Sequence, residues 1–336
     1  MASRKRPSMG DVARLAGVST QTVSRVVNGE PYVTDQTKDS VLAAMRELGY
    51  RPNAAARAMK RGDFKTIGVL YRSLHPVGNR KALEGITNAG AAHGYSTMLI
   101  PIGIDRPVGH AGALSPLEQT SIDVAIVIVS SSLTGGVVDI PSRLNVPTVV
   151  LSSTVPPEVS SVSIDEASGT REAITHLLGL GHATVHHIAG PAQSLPAQQR
   201  ERAWRAALEE AGRPVPDLVR GDWNAESGYE AARMLLHRDT PTALFVGNDQ
   251  MALGAYRALL EAGLRIPDDV SVVGCDNLDE AASFPPPLTT ILMDWDLVGR
   301  KALQVALAML DDPTPSTHAI ASKLIVRAST GPAPRN

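Results

Sequence analysis

Near Gly62 the chain changes its hydrophobic period, and that change requires two different kinds of domain. Before it, apolar side chains recur every three or four residues in three short segments. After it, apolar runs of strand length alternate with helical stretches over the rest of the 336 residues. The runs are Ile67–Leu70, Thr97–Ile100, Ala125–Val129, Thr148–Leu151, Val185–Ile188, Ala243–Val246 and Val270–Val273. Arg80–His93, Ser168–Gly179, Gln199–Ala211, Glu226–His237 and Gln250–Ala262 carry helical spacing between them. Such alternation predicts parallel sheets with helices on both faces, and the length admits two sheets. Ligands of open α/β sheets bind at the carboxyl ends of strands, so a cleft between two lobes is the expected site.

The segments before Gly62 read as three helices. Ser8-x-x-Asp11 is a capping box, Val12, Leu15 and Ala16 follow at helical spacing, and Gly17 stops the helix. Ser19 caps a second helix through Thr22, Val23, Val26 and Val27, ended by Asn28-Gly29. Two short helices joined by a glycine-containing turn predict a helix-turn-helix. A third runs from a Thr34 cap through Val41, Leu42, Met45 and Leu48 to Gly49, enough to close one small core. In such a module the N-terminal end of the second helix enters the major groove. Thr20, Gln21 and Arg25 lie there, opposite the valines. Arg pairs bidentately with guanine and Gln with adenine. Ser24 and Asn28 suit phosphate contacts, which position without reading sequence.

Any helical hairpin with a glycine turn imitates this pattern, so charge has to discriminate. Residues 1–61 carry 11 Lys+Arg against 5 Asp+Glu, and residues 62–336 carry 21 against 29. A basic head on an acidic body fits a chain that touches nucleic acid at one end only. A solvated basic tail is the bland alternative. Beyond Pro52, Asn53 can cap an alanine-rich segment of about two turns, too short to be stable alone in water. It needs DNA or a second subunit to fold against. Met59, its one large apolar side chain, can wedge between base steps in the minor groove. An ordinary linker is the other reading. The expected division is a helix-turn-helix domain over 1–52, a hinge over 53–62 and a two-lobed body over 63–336.

Composition excludes several classes. No run approaches the roughly 20 apolar residues of a membrane helix. The N-terminus MASRKRPSMG is basic but lacks the apolar core of a secretory signal. The single cysteine, Cys275, allows no internal disulfide framework and fits a reducing compartment. These features predict a cytoplasmic protein without a membrane partner.

The body carries no catalytic motif. Gly135-Gly136 and Gly190-Pro191 form neither a dinucleotide fingerprint nor a phosphate-binding loop. His182, His186 and His187 suggest metal superficially, but they sit at a strand start without a further ligand cluster, which favours structural histidines. Cys275 lacks a nearby base and reads as a small buried side chain. No cofactor, metal or enzymatic activity is expected. Arg200 begins a helix with Trp204 one turn later, Trp223 lies in Gly221-Asp222-Trp223, and Asn248-Asp249 and Asp276-Asn277 follow strands. An aromatic face, a guanidinium, an amide and a carboxylate converging on a cleft suit a polyhydroxylated ligand. Trp204 reads as core and Asp249 as a helix cap.

Asp11-Val-Ala-x-x-Ala-Gly-Val-Ser19 followed by Gln21-Thr-Val-Ser-Arg-Val-Val-Asn28 closely resembles the head of the lactose/galactose repressor family of bacterial transcription regulators. The likeness continues through Val33-Thr34, Ala44-Met45, Leu48, Tyr50 and Pro52-Asn53. In the body it includes Ser168-Gly-Thr-Arg, Leu180-Gly-His182, Ala189-Gly-Pro191, Gly221-Asp-Trp223, Asn248-Asp-Gln-Met-Ala-Leu-Gly-Ala255 and Pro286-Pro-Leu-Thr-Thr-Ile291. The pattern is closest to the family's lactose-repressor type.

The resemblance implies an all-α head on an α/β body like the periplasmic binding proteins. It implies a repressor released from its operator by a sugar or glycoside; a nucleobase-like corepressor and a sugar binder without operator control are the alternatives. By that likeness Thr20, Gln21 and Arg25 read bases, and a hinge helix holding Asn53, Ala56 and Met59 orders on operator. Met59 stands where the family usually has Leu. Arg200, Trp223, Asn248 and Asp276 fall on effector-binding positions. In the first lobe Arg72, Ile128 and Ser152 replace other, mostly polar, sugar-contacting residues, so the sugar is left open. The chain finishes without the tetramerising leucine heptads of that lactose-repressor type, which implies a homodimer and a roughly palindromic operator.

Overall fold

The computed structural model describes residues 7–51, 62–74, 76–102, 121–128 and 144–334. The hinge positions Asn53, Ala56 and Met59 lie outside the described residues. The chain divides into two compact units, residues 1–64 and 65–336.

In the first unit, α1 (Met9–Ala16), α2 (Thr20–Asn28) and α3 (Asp35–Leu48) start where side-chain caps satisfy their first amides. Ser8 and Asp11 form the reciprocal capping box, Ser19 accepts from Thr22 N and Thr34 from Thr37 N. All three helices end at a left-handed glycine. Val12, Ala13, Val23, Val41 and Ala44 make the core, with Met9, Ala16 and Val26 packed against it. The buried stripe of α1 therefore runs through Met9, Val12, Ala13 and Ala16. Leu15, expected inside, sits at the stripe's margin and is 46 % exposed.

The second unit holds two six-stranded sheets. Lobe 1 begins with β1 (Thr66–Tyr71), α4 (Val77–Ala92), β2 (Ser96–Pro101), β3 (Val124–Ile128), β4 (Thr148–Leu151) and β5 (Ser161–Asp165). Lobe 2 follows with α5 (Glu166–Gly179), β6 (His186–Ala189), α6 (Leu195–Glu210), β7 (Val219–Arg220) and α7 (Ala225–Leu236). It continues with β8 (Ala243–Val246), α8 (Asp249–Glu261), β9 (Ser271–Asp276) and β10 (Thr289–Leu292). The chain then returns to lobe 1 as α9 (Trp295–Ala308), which packs on α4, and β11 (Thr317–Ala321). It crosses once more to place β12 (Lys323–Ile325) in lobe 2. The sheet orders are β11-β5-β4-β3-β1-β2 and β12-β10-β9-β8-β6-β7. Every pairing is parallel except β10 with β12.

Parallel pairing puts the carboxyl ends of the strands on one edge of each sheet, and three chain crossings join the lobes. Two crossings are stitched together by Ser322, which is 3 % exposed. Its hydroxyl donates to the Asp165 carbonyl (2.5 Å) and accepts from the Gly169 amide (2.8 Å). Contacts among the described residues also span the lobes: Gln199 Nε2 donates to Ser153 Oγ at 2.6 Å, and Lys81 Nζ lies 3.8 Å from Asp279 Oδ1.

Several elements differ from the sequence expectation. Helix α5 begins at Glu166 because the Asp165 carboxylate accepts from the amides of Ala167 and Ser168. Helix α6 begins at Leu195 with Pro196 in its first turn, so Arg200 lies a turn inside the helix instead of starting it. Cys275 is inside β9 and does not follow it. The sequence pattern also missed β5, β7, β10, β11, β12 and α9. These strands are short or mix serine, threonine and lysine with apolar residues, and α9 is buried along much of its girth.

Candidate functional site

At the carboxyl edge of the lobe 2 sheet, β6, β8 and β9 deliver Gly190, Asn248 and Asp276 to one place, and α6 lays Arg200 beneath them. Arg200 is 4 % exposed. Its Nε donates to Glu166 Oε2 at 2.8 Å, and Nη1 donates to the Gly247 carbonyl. Its Nη2 stands 3.8 Å from Asp276 Oδ1, beyond hydrogen-bond reach. The guanidinium lies 5.6 Å from the centre of the Trp223 ring.

Trp223 is half-buried and held in a left-handed backbone conformation, φ 65°. A side chain on Gly190 would come within 2.2 Å of the indole, so only glycine lets the ring lie on this strand end. The Trp223 carbonyl accepts from Asn248 Nδ2 at 3.0 Å, while Asn248 Oδ1 accepts from the Met251 amide at 2.8 Å. Asn248 is therefore the cap of α8, not Asp249 as the sequence suggested, and it clamps the Trp223 loop with its other end. Asp276 ends β9 at φ 111°, and 14 % of its side chain remains exposed. Burial lifts its carboxyl to about 6, with Arg200 pulling the other way. Arg200, Trp223, Asn248 and Asp276 thus gather at one strand edge.

Sequence reasoning missed Glu166, which is 4 % exposed and ion-paired with Arg200. Its signal was faint, because it lies at a lobe crossing between β5, which the pattern did not reveal, and a helix expected to start two residues later. Lobe 1 contributes less. Ile128 is 2 % exposed and belongs to the sheet core. Ser152 Oγ accepts from the Thr154 amide in a turn. Arg72 is half-buried just beyond the end of β1.

The remaining suspects have structural occupations. His182 meets Thr242, Ser271 and the Gly331 carbonyl, and His186 meets Asp239 at 2.9 Å. His187 stacks on Phe245 at 4.7 Å, and burial lowers its imidazole to about 4. Trp204 is fully buried and donates to the Val185 carbonyl. Among the described residues, no cluster of three or more His, Cys, Asp or Glu could hold a metal ion, and no helix is long and apolar enough to cross a membrane. Burial pushes the Cys275 thiol up, away from the nucleophilic thiolate.

On the head, Thr20, Gln21, Arg25 and Asn28 are exposed on one side of α2, while Val23 is buried on the other. Arg25 is tethered through Nε to Glu30 at 3.7 Å. Asn28 Nδ2 donates to Ser24 Oγ at 3.3 Å, one turn back along the helix.

The description "Bacterial regulatory proteins, lacI family" fits residues 8–53, and "Periplasmic binding protein-like domain" fits residues 174–330. The ribose operon repressor of Escherichia coli strain K12 is 35 % identical over 91 % of this chain and 94 % of its own length. The chain belongs to the lacI family of bacterial regulatory proteins. Likeness to the lactose operon repressor of the same strain is 32 % over 98 % of this chain and 92 % of that protein. The solved lac repressor dimer, bound to operator and the anti-inducer ONPF, superposes with a TM-score of 0.85 at 32 % identity. That match covers 97 % of this chain and all of the other. The lacI-family head is thus the α1–α3 unit, and the lacI-family body is the pair of lobes.

Proposed function

We propose that this lacI-family chain is a homodimeric repressor whose operator grip is released by a neutral sugar or glycoside bound between its lobes. The division of labour is residues 1–52 for operator DNA, 53–62 for the hinge and 63–336 for ligand and dimer contacts. Thr20, Gln21 and Arg25 read base edges, and Ser24 and Asn28 touch phosphate. Asn53, Ala56 and Met59 form the hinge surface against the minor groove. Arg200, Trp223, Asn248 and Asp276 hold the effector. The relatives above, named for ribose and lactose operons, support the ligand class.

The observation that carries the reading is the 3.8 Å gap between Arg200 Nη2 and Asp276 Oδ1, with the guanidinium 5.6 Å from the centre of the Trp223 ring. A hydroxyl there accepts from the guanidinium and donates to the carboxylate, while the indole covers the apolar face of a sugar ring. Occupancy changes repression if it favours one arrangement of the lobes over another. The relatives are named as operon repressors, which supports a site that binds its ligand without chemistry.

The test is specific binding to DNA from upstream of the gene, at fixed salt, with and without a sugar panel headed by D-ribose. Release by one sugar, abolished in Trp223→Ala while operator binding persists, is the expected result. Tighter operator binding with ligand replaces inducer by corepressor, and absence of specific DNA binding overturns the function.

A further inference from the structure

Asp249 is a buried carboxylate that the effector reading leaves without a role. It is fully buried, and among the described residues it has no ion-pair partner. Burial and the neighbouring Asp276 lift its carboxyl to about 7. It does not cap α8, because Asn248 does. An apolar residue would fill the volume without that cost, so what its two oxygens hold has to account for it.

They hold the turn that follows the effector carboxylate. Asp276 and Asn277 are consecutive residues in left-handed backbone, φ 111° and 49°. Asn and Asp enter the left-handed well more readily than other side chains, but φ 111° at Asp276 lies outside it and has to be held by the surroundings. Asp249 Oδ2 accepts from the Leu278 amide at 2.8 Å, and Oδ1 accepts from Thr290 Oγ1 at 2.6 Å. Thr290 Oγ1 in turn accepts from the Asn277 amide at 3.3 Å. The tail adds a third bracket, since Arg327 Nη2 donates to Asn277 Oδ1 at 2.7 Å. Strand β9 is bare where the carboxylate enters, for a side chain on Gly274 would come within 2.3 Å of Asp249 Oδ1.

We propose that Asp249 is a positioning residue of the effector site: through Leu278 and Thr290 it fixes the left-handed Asp276-Asn277 turn and so sets where the Asp276 carboxyl meets the ligand. The proposal rests on the effector reading given above. Asp249 touches no ligand itself. Its specificity effect falls on the hydroxyl shared between Arg200 and Asp276, since a turn free to relax moves one of that pair and not the other.

The experiment compares wild type, Asp249→Ala, Asp249→Asn and Thr290→Val in the full chain. It reads amide exchange over residues 274–280 and calorimetric affinity for D-ribose. Asp249→Ala is expected to speed exchange at Leu278 and weaken D-ribose binding, each by about tenfold or more. The amides of β6, on the far side of β8, should keep wild-type exchange. Asp249→Asn keeps one acceptor for Leu278 and a donor for Thr290, so most of both losses should be recovered. Thr290→Val removes one bracket only, and it decides the matter if Asp249→Ala does not fold. Wild-type exchange in the variants overturns the proposal, and so does faster exchange with unchanged affinity. A wild-type protein blind to D-ribose counts against ribose as effector, and the exchange pattern alone then decides for or against Asp249.

Discussion

The exposed face of α2 and the strand edge of the second lobe are built in opposite ways. On α2, Thr20, Gln21, Arg25 and Asn28 are exposed and lie on a scaffold of caps and a five-residue core. In lobe 2, Arg200 and Asn248 are 4 % and 5 % exposed, and each is bonded to neighbours before any ligand arrives. The first arrangement suits a large, charged, regular partner that supplies its own geometry, and long exposed side chains adapt to it at an entropic cost. The second suits a small neutral partner, for which the protein has to supply the geometry in advance. The price is burial of charge, and charge buried without its partner destabilises the fold. Substitutions in the two sites should therefore have different kinds of consequence.

The largest effect is expected at Arg200. Arg200→Met keeps the length of the side chain but leaves Glu166 without its cation and Asp276 without its nearest positive charge. Breaking such a buried pair from one side costs about 3–5 kcal/mol. Urea unfolding of the body should show that loss, together with loss of sugar binding. A stability change within about 0.5 kcal/mol, the range of ordinary surface substitutions, would mean that the pocket is not organised around this charge and that the contrast with the head is false.

A second effect separates the two units by pH. His187 lies between Phe245 and Trp204, and burial holds its imidazole at about 4 against an ordinary value of 6.5. Its folded pKa is depressed, so the folded state resists protonation. The stability tied to the neutral ring is complete above pH 6.5 and is lost progressively as pH falls toward 4. The full loss is about 3 kcal/mol for a fully buried group. Raised carboxyls at Asp249 and Asp276 change stability in the opposite direction over part of this range. The comparison is therefore between wild type and His187→Phe, which keeps the stack. Stability of the wild type should fall more steeply between pH 6.5 and 4 than that of the variant, and equal slopes would remove His187 as the cause. The head has no histidine among its described residues and should not share this transition.

How much of each site was legible follows from the same contrast. The head could be read nearly residue by residue, because capping boxes, terminal glycines and helical spacing are local signals and the reading face is whatever the core leaves outside. Leu15 shows the limit, since spacing within one short helix cannot say which side of its apolar stripe the third helix will cover. The general plan of the body was equally visible in its alternating runs. Its site was only half visible. Trp223, Asn248 and Asp276 stand at strand or helix ends, where function is expected, and Arg200 lies one turn into α6, whereas Glu166, Asp249 and Thr290 act through contacts 34, 29 and 41 residues away in sequence. No periodicity encodes such pairings. They are set by which strand edges the parallel topology brings together.

The smallest effect completes the comparison from the head. Arg25 is half exposed, and Glu30 touches it at 3.7 Å on both partners' solvent-facing sides, a contact worth little to the fold. Arg25→Ala should therefore leave the unfolding transition within about 0.5 kcal/mol of wild type. Operator affinity should drop by about 1–3 kcal/mol, while binding to unrelated DNA falls much less, because a guanine-reading arginine adds discrimination beyond its charge. Gel-shift titrations at two salt concentrations distinguish the cases. Equal losses on operator and unrelated DNA, with a reduced salt slope, would make Arg25 a phosphate contact and move base reading to Thr20 and Gln21. A loss of stability as large as that at Arg200 would show that the exposed face supports the fold no less than the buried one does.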